Sequence, residues 1–60
     1  MRDMDGNEIK VGDYVGFKNG IEQSGKVVRF DRGMVVLSCW DSDAGEHFEQ
    51  SVSPNRCWHE

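Results

Sequence analysis

The stretch Val11–Leu37, VGDYVGFKNGIEQSGKVVRFDRGMVVL, decides the fold. Its apolar runs are cut at close intervals by Gly12-Asp13, Asn19-Gly20 and Asp31-Arg32-Gly33. Each is a turn signal, because glycine, and to a lesser degree asparagine and aspartate, accepts positive φ at low cost. Between the turns the side chains follow the period of two that a strand imposes. In Tyr14–Lys18, Val15 and Phe17 share one face, and Tyr14 and Gly16 share the other. A glycine inside a strand predicts a bulge or a close backbone approach. A loop, Ile21–Ser24, leads to a second strand, Gly25–Phe30, with Val28 and Phe30 on one face and Val27 and Arg29 on the other. Asp31–Gly33 is a tight turn that places Gly33 in the left-handed region. The third strand, Met34–Trp40, sets Val35, Leu37 and Cys39 against Met34, Val36, Ser38 and Trp40. Apolar side chains on both its faces predict cover on both sides over part of its length.

Outward from this stretch the elements shorten. Upstream, Asp5-Gly6-Asn7 is a turn between Met4 and Ile9, so residues 1–10 read as a short hairpin or ordered arm. Downstream come a polar loop, Asp41–Gly45, and a short fourth strand, Glu46–Gln50, with Phe48 inward. A helical turn follows, with Ser53 as its cap and Pro54 at its first position. Cys57-Trp58 forms the last short strand. Sixty residues make one small domain with a marginal core. The expected fold is all-β: a small five-stranded barrel over residues 11–60 with the hairpin or arm in front of it.

Gly12 and Asp13 before Val15 and Phe17, Gly25 before Val27, Val28 and Phe30, and Gly33 before the next valines resemble the KOW-type SH3-like barrel. Small phage and bacterial proteins carry similar barrels. The resemblance covers about half of the chain. It implies a binding module acting on the transcription, translation or other nucleoprotein machinery. It also implies that the loop between the first two strands, Lys18 to Lys26, meets RNA or protein.

Charge bears on which. The net charge is −4, but it is divided unevenly. Residues 9–37 carry five basic against three acidic side chains, whereas residues 38–60 carry one against five. Nucleic-acid affinity is dominated by phosphate neutralisation, so the whole chain is poorly suited to strong non-specific binding. The first loop holds Glu22 and Gln23, with only Lys18 and Lys26 flanking it. The favoured partner is therefore a protein, met by Trp40, Met34 and Val36 with the acidic Asp41 and Asp43. A weak RNA or DNA contact through Tyr14, Lys18, Lys26, Arg29 and Arg32 is the alternative, with Tyr14 stacking a base. A homodimer through Trp40 stands beside a monomer.

Other chemistry finds little support. Cys39, His47, Cys57 and His59 are zinc-type ligands, but their spacing is irregular and no close cysteine pair exists. Cys39 fits the inward register of its strand, so a buried free thiol is expected there, and no metal or cofactor. The acidic loop lacks the ordered spacing of a calcium site. No Ser/His/Asp or Cys/His motif is present, so a non-catalytic protein is expected. A pore-forming oligomeric enzyme is a remote alternative, by analogy only. No apolar run is long enough to span a membrane and no signal peptide is evident, which predicts a cytoplasmic protein with reduced thiols.

Overall fold

The computed structural model describes residues 1–60. Five antiparallel strands follow in order: β1 (Tyr14–Asn19), β2 (Ile21–Asp31), β3 (Met34–Asp41), β4 (Glu46–Val52) and β5 (Cys57–His59). A single 3-10 turn, Pro54–Arg56, joins β4 to β5. The strands form one sheet in the order β4-β3-β2-β1-β5. The protein is thus all-β, as its turn spacing requires.

The expected barrel is not closed by hydrogen bonds, since β4 and β5 remain the two edges of the sheet. The sheet must nevertheless curl. Edges of a flat five-stranded sheet lie about 19 Å apart. The link from Val52 to Cys57 has four residues, three of them in a 3-10 turn that rises only about 2 Å per residue. Such a link cannot cross a flat sheet, so the edges are drawn together. Val52 from β4 and Cys57 from β5 accordingly join one core with Ile9, Val15, Phe17, Val27, Val35, Leu37 and Cys39.

Several local features differ from the sequence reading: β4 runs on to Val52, Ser53 precedes the 3-10 turn without a side-chain capping bond, and β2 departs from it twice. Ile21–Ser24 is not a loop but the start of β2, paired with β1 up to Asn19↔Ile21. Gly20, at φ 80°, carries the reversal. A bulge also lies between Val27 and Arg29. It shifts the alternation by one residue. Val27 and Phe30 therefore pair with Leu37 and Val35 on the inner side, and Arg29 pairs with Val36 on the outer side. Pattern alone hides a bulge, because the extra residue leaves no mark in an otherwise apolar run.

Close packing explains two glycines. A Cβ on Gly16 would lie 2.4–2.9 Å from the indole of Trp58, its cross-strand neighbour. A Cβ on Gly25 would lie 2.9 Å from both Cys39 Sγ and the Ser38 carbonyl oxygen. Both glycines thus let a neighbouring strand or ring approach the backbone. No helix is long and apolar enough to cross a membrane.

Candidate functional site

The sheet consists of two hairpins, β1–β2 and β3–β4, which are joined over only part of their length. The β2–β3 ladder runs from Asp31↔Met34 to Lys26↔Ser38 and stops. Beyond it, Ile21–Gly25 have ladder partners only on β1, and Cys39–Asp41 only on β4. The hairpin tips are therefore splayed. Between them lies a cleft of roughly 500 Å³, lined among others by Ile21, Gln23, Trp40, Asp43 and Phe48.

The cleft is apolar at its walls and acidic at its rim. Ile21 is 66% exposed, Trp40 58% and Phe48 38%. Phe48 pairs with Cys39 on the inner side of the sheet, as its alternation predicts. It stays accessible because β4 is an edge. Trp40 is held by His47, its cross-strand neighbour, in an edge-on contact with ring centroids 5.0 Å apart. Asp41 Oδ1 accepts the backbone N–H groups of Asp43 (3.0 Å) and Ala44 (3.2 Å), so it shapes the tip as well as charging it. Asp43 and Glu46 are exposed.

A second groove, of roughly 600 Å³, runs over the outer face, with Trp40 also at its border. Tyr14, Lys26 and Ser38 form one cross-strand row in it.

Of the residues expected at a protein interface, Trp40, Asp41 and Asp43 come together at the cleft. Val36 and Met34 do not. Val36 is only 2% exposed, which removes it from any surface. Its cover is an ion pair: Arg29 Nη1 reaches Glu49 Oε2 at 2.8 Å, from β2 to β4 across β3. Met34 is half-buried at the other end of β3, about 20 Å along the strand from Trp40. Alternation put both on Trp40's face, but it cannot show what crosses that face.

The five residues expected to meet nucleic acid are scattered. Arg29 is engaged by Glu49, which raises its pKa through that hydrogen bond and charge. Lys18 stands opposite Glu22 at the hairpin tip. Arg32 occupies the far turn, itself in the left-handed region at φ 54°. Only Tyr14 and Lys26 share the outer groove.

The zinc-type residues do not converge, and no group of three histidine, cysteine or acidic side chains is arranged to hold a metal ion. Cys39 and Cys57 are free, buried thiols. Burial pushes both thiol pKa values up, and the Asp3 carboxylate adds to this at Cys57. The thiolate, the reactive and metal-binding form, is thereby disfavoured.

His59 has a different role, which the sequence did not reveal. Its Nδ1 lies 2.5 Å from Asp3 Oδ2 and its Nε2 lies 3.2 Å from Asp13 Oδ2. Carboxylates only accept, so a ring held at both nitrogens is an imidazolium donating twice. Its pKa is raised, first by Asp3 and then by Asp13. Burial alone would raise the Asp3 pKa. The His59 ring and the N–H groups of Asn7 and Asp5 more than offset that and hold it low. Asp13 is held low by the Lys10 N–H and by His59.

This clasp fastens the N-terminal arm to the end of the sheet opposite the hairpin tips. The arm is a small hairpin, with an Arg2↔Glu8 bridge and Gly6 at φ 83°. Met4 N–H donates to the Cys57 carbonyl at 2.9 Å, and Ile9 enters the core. Fifty-six residues separate Asp3 from His59, so no local pattern could signal their meeting.

A family model described as a domain of unknown function, DUF7205, matches residues 1–59. Neither the curated proteins nor the solved structures provide a match.

Proposed function

The chain belongs to the DUF7205 family, whose description assigns no function, and from its geometry we propose that it is a non-catalytic binding module that contacts a protein through its splayed hairpin tips. One observation carries this reading: Ile21, Trp40 and Phe48, three large apolar side chains, stand exposed around a single cleft. An exposed tryptophan at the centre of an apolar patch is the usual anchor of a protein interface. The acidic rim sets the polarity of the partner's surface. In the KOW-like reading, the partner belongs to the transcription, translation or other nucleoprotein machinery, and the site of action is the cytoplasm.

The outer groove supports a second reading, a weak RNA or DNA contact through Tyr14 and Lys26. It is less favoured because the remaining basic side chains do not converge there. A homodimer through the cleft would bring two acidic rims together.

The test is photo-crosslinking with a benzophenone amino acid placed at Ser42, in the tip, or at Asn55, in the 3-10 turn. The expected result is a protein adduct from position 42 that disappears with Trp40→Ala and is not formed from position 55. Equal adducts from both positions, or a nuclease-sensitive adduct that Lys26→Glu removes, would overturn the reading.

A further inference from the structure

Taking the tip cleft as the contact surface, we propose that its occupant is an extended cationic peptide segment that pairs its backbone with a free hairpin edge inside the cleft. Three observations lead there. The first is the interrupted ladder. Ile21–Ser24 and Trp40–Asp41 each have a strand partner on one side only, beyond the point where Gly25 and Cys39 still pack on one another. A strand with one neighbour presents every second pair of N–H and C=O groups to the open side. Here the open side is the cleft, and an extended chain is the shape that satisfies such groups.

The second observation is the lining. Side chains of a bound strand would point alternately to the two faces of the sheet. Those directed inward would meet Phe48, which shares the inner side with Cys39. Those directed outward would pass beside Trp40, which pairs with His47 on the other side. An occupant with an apolar residue at every second position fits this lining.

The third observation is charge. Asp41 and Asp43 line the cleft and Glu46 stands opposite Asp41, whereas the basic side chains nearest the tips, Lys18 and Arg56, share a separate groove. An anionic segment would meet like charge on entering. So would a second copy of the chain, because it brings the same rim. Acidic tips that discourage self-pairing select a basic occupant by the same field.

The experiment uses the full chain and three synthetic octapeptides. One alternates lysine with valine and one alternates glutamate with valine. The third is the lysine–valine peptide N-methylated at alternate residues along one edge, which removes main-chain donors and leaves the side chains unchanged. Binding is read by backbone amide shifts and the Trp40 indole signal. The expected result is binding of the lysine–valine peptide with shifts at Gln23, Ser24, Cys39 and Trp40. At least about tenfold weaker binding of the other two is expected. Equal binding of the N-methylated peptide would overturn the backbone pairing, and equal binding of the glutamate peptide would overturn the cationic preference. If no peptide binds, the proposal falls, while a Trp40-dependent crosslink from position 42 would still stand for the surface. Peptide binding unchanged by Trp40→Ala in a chain that keeps its folded amide spectrum would overturn the surface reading as well.

Discussion

The clasped end and the splayed end of the sheet use polar groups in opposite ways. At the clasped end, Asp3, Asp13 and His59 are spent on one another and on backbone N–H groups. The Asp3 carboxylate is wholly buried, and Ile9 behind it closes the core. At the splayed end Asp41 is bonded only within its own turn, Asp43 and Glu46 make no ion pair, and three large apolar residues face solvent. One end holds the fold together, and the other leaves contact groups unspent. The difference teaches that exposure at the tips is a surface left available, whereas burial at the clasp is a structural necessity.

The comparison can be broken most severely where the two hairpins join. Leu37 is fully buried in the last stretch of the shared ladder, opposite Val27. Leu37→Ala should cost about 2–5 kcal/mol, read as a large fall in the midpoint of a denaturant titration. A loss well below 1 kcal/mol would mean that the hairpins do not depend on that junction. Next is Gly16→Ala, whose methyl must displace the Trp58 ring. A cost of about 1–3 kcal/mol is expected, with a change in Trp58 emission. Trp40→Ala, at the open end, should change stability by no more than about 0.5 kcal/mol, as for an exposed side chain. A loss as large as that of Gly16→Ala would show that Trp40 belongs to the core.

The clasp predicts a pH signature confined to its own end. The pKa of His59 is raised above its ordinary 6.5, so its contribution is complete below about pH 6.5 and is lost as pH rises through the raised value. Asp3 and Asp13 are lowered below 3.8, so theirs is complete above that value and is lost as pH falls through the lowered ones. The arm should therefore be held most firmly between roughly pH 4 and 6.5. Amide exchange at Asp5 and Asn7, corrected for its intrinsic pH dependence, should be slowest in that window. His59→Gln should remove the alkaline limb and leave the hairpin tips unchanged. A flat profile in the wild-type chain would contradict the clasp.

A gain rather than a loss is expected at the turn Asp31–Met34. Arg32 sits at φ 54° and Gly33 at φ 76°, the pattern of a tight hairpin turn that prefers asparagine at the first position. Arg32→Asn should raise stability by up to about 1 kcal/mol, measured as a shift in the denaturation midpoint.

What could be read from the sequence follows from the range of each interaction. Turns and alternation are local, so the strands apart from the start of β2 and the end of β4, the reversal at Gly33, the arm hairpin at Gly6 and the inward thiol of Cys39 were legible. Gly16 announced a close approach, but not that Trp58 makes it. The bulge at Val28 was invisible, because Val27 and Val28 offer two equivalent apolar choices. Val36 looked like a surface residue because Arg29 and Glu49, which cover it, come from the strands on either side. Ile21 and Phe48 escaped notice as site residues because their convergence with Trp40 depends on where a ladder stops. His59 looked like a stray ligand because both its partners lie far away in the chain.

The splay of the hairpins is tested most directly by amide hydrogen exchange on the free chain. Protection should be nearly continuous through Lys26–Asp31 and Met34–Ser38, apart from the bulge. In Ile21–Gly25 and Cys39–Asp41 it should alternate, with every second amide exchanging close to the rate of an unpaired group. Continuous protection through both tip segments would mean that β2 and β3 are joined to their ends and that no cleft separates them.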